Sequence, residues 1–128
     1  MLRLILTGMS ALLLTSCTSP KPSAAAGHDL YDANGCASCH GREGHGDGPA
    51  AATLPSKPAD LRNPLQFKRG ANEAAIAKTL EEGISIVHFM PQLKTTHHMM
   101  AMPKFDHLTE TERRSIALYI ISLSKENN

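Results

Sequence analysis

The sequence predicts a single small all-α domain with long connecting loops, and three observations carry that prediction. The C-terminal segment opens on a capping box, Thr109-Glu110-Thr111-Glu112, and continues with Ile116, Tyr119, Ile120 and Leu123 on one helical face. Asn72 can cap another helix that runs through Ile76 and Leu80 and stops at Gly83. No stretch alternates apolar and polar residues for the length of a convincing strand, and no segment repeats. At 128 residues the chain has room for one domain.

The N-terminus reads as a targeting segment, not as part of the fold. Met1-Leu2-Arg3 gives a short positive start, and residues 4–14 are predominantly apolar. That run is shorter than the roughly 20 residues of a spanning helix and has the proportions of a secretory signal. It ends in Leu14-Thr15-Ser16-Cys17, which resembles the lipobox of bacterial lipoproteins, where the Cys is lipidated and becomes the first mature residue. The expected division is a lipoprotein signal peptide over 1–16, a lipidated Cys17 with a flexible tether over 17–26, and the folded domain over 27–128. The protein is thus expected outside the cytoplasm, lipid-anchored to a membrane. Assigning Cys17 to lipid leaves two of the 3 cysteines, Cys36 and Cys39, as a pair without need of a disulfide.

Along the mature chain, Ser-Pro-Lys-Pro-Ser-Ala-Ala-Ala over 19–26 reads as the tether. A short helix is expected from Gly27, with Leu30 and Tyr31 as its apolar contacts and Asn34-Gly35 as its end. Residues 41–64 are rich in Gly and Pro and lack a sustained period, so they predict a loop wrapped around something. Residues 84–102 are irregular and rich in His and Met. Charges are nearly even, 13 Lys+Arg against 12 Asp+Glu, which gives no electrostatic footprint for nucleic acid. Aromatics make up 4% of residues and Trp is absent, a poor stock for a core that a large apolar cofactor would complete.

Chemistry concentrates in Cys36-Ala37-Ser38-Cys39-His40. Cysteines three apart put both sulfurs on one side of a helical turn, where they can form thioethers with the two vinyl groups of a haem. His40, directly after, can reach the iron from the same side, and C-x-x-C-H is read as c-type haem attachment for this reason. A zinc site would need two further ligands at suitable spacing; His45 exists, but no second C-x-x-C does. A thioredoxin-like redox pair would need a βαβ context that is missing.

These residues bring out a wider resemblance. From Gly27 to about Leu123 the chain resembles the class I cytochrome c family. Gly27 and Tyr31 match the family's Gly-x-x-x-aromatic pair on its first helix. The run Cys36 to His40 followed by Gly41-Arg42-Glu43-Gly44-His45-Gly46-Asp47-Gly48-Pro49-Ala50 is similar to bacterial members with a glycine-rich loop after the haem motif. The segment from Leu108-Thr109 to Tyr119-Ile120 resembles the family's last helix. The resemblance implies a class I cytochrome c fold with one covalent haem c, and a last helix that crosses the first, Ile116 and Tyr119 lying near Gly27 and Tyr31. It also implies a carrier that cycles between Fe(III) and Fe(II) and makes or breaks no substrate bond.

A carrier haem has both axial positions filled. Besides Met1 and Met9 in the signal, the 6 methionines include Met90, Met99, Met100 and Met102. Met102-Pro103-Lys104-Phe105 just before the last helix resembles the family's Met-Pro-x-Phe segment and points to Met102. Met90-Pro91 is the runner-up, because the family also places its Met shortly after a Gly such as Gly83. On the proximal side the resemblance implies a Pro carbonyl that orients His40; Gly48-Pro49 matches best, with Pro55 and Pro58 as alternatives.

Two features compete with this reading. His88, Met90, His97, His98, Met99 and Met100 are ligand types that copper favours, against an inserted surface loop as the plainer account. Lys57, Arg62, Lys68 and Arg69 form a basic cluster that fits either partner docking or a solvated surface. The expected function is an exported monohaem electron carrier with redox-protein partners. The alternatives are a cytochrome subunit of a larger respiratory oxidoreductase complex, and a haem-based ligand sensor or copper-handling protein.

Overall fold

The computed structural model describes residues 20–54, 56–85 and 100–125, the side chains of Met100 and Ala101 excepted. In chain order the elements are α1 (Ala24–Ala33), α2 (Cys36–His40), short 3-10 turns at Ala51–Thr53 and Pro64–Gln66, α3 (Glu73–Glu82), β1 (Ile84–Ser85), β2 (Met100–Met102) and α4 (Glu110–Lys125).

Local chemistry places the three longer helices. Asn72 caps α3 by accepting from the Ala75 amide at 2.9 Å, and Gly83 ends it with φ 67°. The capping box of α4 forms in both directions: Glu112 Oε2 accepts from the Thr109 amide at 2.7 Å, and the Glu112 amide donates to Thr109 Oγ1 at 3.3 Å. α1 begins at Ala24, three residues before the expected start at Gly27, because Ser23 takes an extended conformation and its side chain accepts from the Ala26 amide. Ala24, Ala25 and Ala26 then follow their high helix propensity, and residues 24–26 belong to the helix, not to the tether.

α1 and α3 both pack on α4. The core gathers Tyr31, Leu61, Ile76, Leu80, Leu108, Ile116, Ala117, Ile120 and Leu123, with Cys36 among them. Tyr31 and Ile116 are 1% and 0% exposed, and burial of such a side chain contributes roughly 1.5–3 kcal/mol. The crossing is close because Gly27 carries no side chain: a Cβ there would overlap the Ser115 carbonyl oxygen and come within 2.9 Å of Tyr119 Cβ. The rings of Tyr31 and Tyr119 meet edge to face at 5.3 Å, as expected of the helix crossing. Arg113 joins α3 to α4, donating to the Leu108 carbonyl and facing Glu81 at 3.4 Å.

Residues 84–102 were expected to be irregular throughout, but their two ends form a short antiparallel ladder. Ile84 pairs with Met102 and Ser85 with Met100, with an irregularity between the two pairs. Strands of two and three residues are too short to show a period of two. The Phe105 amide then donates to the Leu80 carbonyl at 2.8 Å, which satisfies a C-terminal carbonyl of α3 and anchors the chain before α4.

Candidate haem-attachment site

α2 is one short helix, Cys36–His40, entered through Gly35 at φ 71° and left through Gly41 at φ 79°. Cys36 is buried in the core cluster, Cys39 is half-buried, and both are free thiols. Burial pushes the Cys36 thiol up to about 11, so with nothing bound it is a protonated thiol at neutral pH. Among the described residues no three His, Cys, Asp or Glu side chains gather into a metal site.

The glycine-rich loop is folded back onto the C-terminal end of α2. Four successive carbonyls of the helix accept main-chain amides: Ala37 from Gly41 at 2.9 Å, Ser38 from Ala50 at 2.9 Å, Cys39 from Gly48 at 3.1 Å and His40 from Gly46 at 2.8 Å. These are the carbonyls a helix leaves without internal partners. The Tyr31 hydroxyl secures the exit by donating to the Gly41 carbonyl at 2.7 Å. Gly46, at φ 73°, lets the chain pass close to residues 58–59: a Cβ there would lie 2.5 Å from the Pro58 carbonyl oxygen.

That close passage delivers the partner of His40. Its Nδ1 lies 3.0 Å from the carbonyl oxygen of Ala59. A carbonyl only accepts, so Nδ1 carries the proton and Nε2 keeps its lone pair. Burial holds the imidazole pKa below its ordinary value, with the Ala59 hydrogen bond opposing, so the ring favours its neutral, ligating form. The acceptor is therefore Ala59 and not Pro49, which the sequence favoured. The Gly48–Ala50 stretch is committed to capping Ser38 and Cys39, and the chain reaches the imidazole only when it returns at residue 59.

Met102, at the end of β2, is partly buried and packs against the cluster that contains Cys36. Met90, Cys17, Pro55 and the His and Met residues over 86–99 lie outside the described residues. The basic cluster is largely engaged: Arg62 grips Asp60 at 3.2 Å, and Arg69 pairs with Glu82 at 3.0 Å while donating to the Gly83 carbonyl. Sequence reasoning missed Ala59, whose contribution is a main-chain oxygen, and the Tyr31 hydroxyl bond.

A family model for cytochrome c matches residues 24–124. The chain belongs to the cytochrome c family. A domain of this family binds a covalently attached haem c and transfers electrons. This cytochrome also resembles a chain of the Kuenenia stuttgartiensis reducing HAO-like protein complex Kustc0457/Kustc0458, with 26% identity and a TM-score of 0.55 over 81% of its length. It spans 44% of that chain. No curated protein matches it.

The donor set fits a haem c. Two free thiols sit at i and i+3 on one helical turn, and the adjacent imidazole has Nδ1 engaged and no hydrogen-bond partner at Nε2 among the described residues. The apolar cluster that contains Cys36 and Leu61, with Phe67, Met102 and Phe105 packed against it, suits a hydrophobic macrocycle. No helix among the described residues is long and apolar enough to cross a membrane.

Proposed function

We propose that this cytochrome is an exported monohaem carrier in which Cys36 and Cys39 would hold the haem through thioethers, and His40 Nε2 and the Met102 sulfur would ligate its iron. The observation that carries the reading is the α2 turn itself: both thiols on one turn, and beside them an imidazole whose far nitrogen is already satisfied by Ala59. When bound, the haem supplies a reversible one-electron change between Fe(III) and Fe(II). The chain's own contribution is geometric and electrostatic. α2 would hold the macrocycle through Cys36 and Cys39, Ala59 sets the tautomer of His40, and the apolar cluster that includes Cys36 would keep water from the group.

Met102 is favoured over Met90 because the pairing of Ile84 with Met102 brings it beside the residue that follows Gly83. That reconciles a methionine near Gly83 with a methionine just before the last helix. The N-terminal reading adds a lipid at Cys17, a short tether, and a location on the extracytoplasmic face of a membrane. Cys17→Ala should shift the protein from the membrane fraction to the soluble one.

The decisive experiment on the site is covalent-haem staining after denaturing electrophoresis, with Cys36→Ala, Cys39→Ala and the double variant against the wild type. The wild type should stain, and the double variant should lose the signal. Staining that survives the double substitution would overturn the attachment reading. A second reading, a cytochrome subunit of a larger oxidoreductase complex, is favoured by the likeness to a chain of a multi-protein complex. Co-purification with a stable partner at native expression levels would select it over a free carrier.

A further inference from the structure

The peptide group between Ala59 and Asp60 is held from both ends. Its carbonyl oxygen faces His40 Nδ1 at 3.0 Å, and its amide N–H, on Asp60, donates to the Gln66 side-chain oxygen Oε1 at 2.9 Å. Carbonyl and amide belong to one resonant, planar unit, so a pull on the N–H raises the negative charge on the oxygen. Polarisation along such a chain strengthens each bond by about 10–30%.

Gln66 is placed for this by a closed set of bonds. The Asp60 carbonyl accepts from the Asn63 amide at 3.1 Å, the Asn63 carbonyl accepts from the Gln66 amide at 3.0 Å, and Gln66 Oε1 returns to the Asp60 amide. Asn63 Oδ1 caps the 3-10 turn at the Leu65 amide, and Pro64 stiffens its first position. Asp60 is fixed in turn by Arg62, whose main-chain amide, Nε and Nη2 all reach its carboxylate. Gln66 is exposed, but it ends a hydrogen-bonded turn and accepts from the amide of the peptide under His40.

We propose that Gln66 is a positioning residue for the electron-transfer centre, setting the plane and acceptor strength of the Ala59–Asp60 peptide and, through it, the electron donation of His40. The inference rests on His40 being the iron ligand. A stronger hydrogen bond at Nδ1 makes the imidazole a more basic ligand, favours the ferric state and lowers the midpoint potential.

The test uses the holo-cytochrome and its variants Gln66→Leu, Gln66→Glu and Leu65→Glu. Two quantities are read: midpoint potential, and the hydrogen-exchange rate of the His40 Nδ1–H by NMR in the reduced protein. Gln66→Leu removes the acceptor; the potential should rise and exchange should quicken, by less than the roughly five-fold that loss of a whole net hydrogen bond represents. Gln66→Glu keeps an acceptor oxygen at the same reach, and its exchange should stay at or below the wild-type rate with a lowered potential. Leu65→Glu puts the same charge on the same turn, at a side chain 94% exposed, without the bond to Asp60. Its potential should move less than that of Gln66→Glu, and its exchange rate not at all.

Wild-type exchange and potential in Gln66→Leu would overturn the relay. So would a Leu65→Glu potential shift equal to that of Gln66→Glu, because the effect would then be charge through space. The ring-current displacement of the His40 signals separates this from the parent reading. Its absence in the wild type would show that His40 is not the ligand, whereas its presence with indifferent variants would refute Gln66 alone.

Discussion

Met102 is paired across the antiparallel ladder with Ile84, the residue directly after the glycine that ends α3. The chain leaves α3, passes through residues 86–99, and returns to the same place before entering α4. The Phe105 amide, bound to the Leu80 carbonyl at 2.8 Å, fixes the return. A ligand held between these two ties has little freedom, which suits an axial methionine. Absorption of the ferric protein should therefore show the sulfur-to-iron charge-transfer band in the wild type and in Met90→Ala, and lose it in Met102→Ala. The opposite pattern would transfer the ligand to Met90.

The α1–α4 crossing makes Gly27 a sensitive position. A methyl group there would meet the Ser115 carbonyl, a backbone atom that cannot swing aside, and would press on Tyr119. Gly27→Ala should destabilise the protein by about 2–3 kcal/mol, as overpacking at a rigid contact does. Urea unfolding would measure it as a lower midpoint at unchanged slope. Stability within about 0.5 kcal/mol of wild type, the scatter of neutral surface changes, would mean the helices part freely.

Tyr31 ties α1 to the exit of α2 through a hydroxyl bond of 2.7 Å to the Gly41 carbonyl, and burial pushes the phenol well above its ordinary range, keeping it a donor. The carbonyl also accepts from the Gly44 amide at 3.2 Å, so Tyr31→Phe leaves it with one partner. The expected loss is about 1 kcal/mol. Thermal unfolding of the holo-protein would read it, and equal midpoints for the two proteins would assign the bond no net worth.

What could be read from the sequence follows from how locally each feature is encoded. The starts of α3 and α4 are set by side chains that bond to amides within three residues, Asn72 to Ala75 and Thr109 with Glu112, so the letters alone reveal them. The Cys36–Cys39–His40 spacing is equally local. Ala59 was invisible because its role belongs to a main-chain oxygen, which any residue supplies; only the fold of the glycine-rich loop decides which one arrives at His40. The ladder between β1 and β2 depends on closure between residues distant in sequence and has no period to detect. The start of α1 was misplaced because Pro20, Pro22 and small residues look like a tether, although Ser23 is a good cap and three alanines follow it.

The capping box also fixes a pH dependence. The Thr109 amide, then the Thr109 hydroxyl, donate to the Glu112 carboxylate at 2.7 Å each and hold its pKa below the ordinary 4.5 of a glutamate. The unfolded chain thus binds the proton more readily, and stability falls as protons are taken up. The contribution of Glu112 is complete above about pH 4.5 and is lost as the pH drops through the lower folded value. Glu112→Gln keeps an acceptor oxygen but no charge. In low salt its unfolding temperature should lie below that of the wild type at pH 7, and the gap should close as the pH is lowered towards 3. Circular dichroism melts across that range would show it. Parallel curves for the two proteins would mean that the carboxylate charge contributes nothing to holding the start of α4.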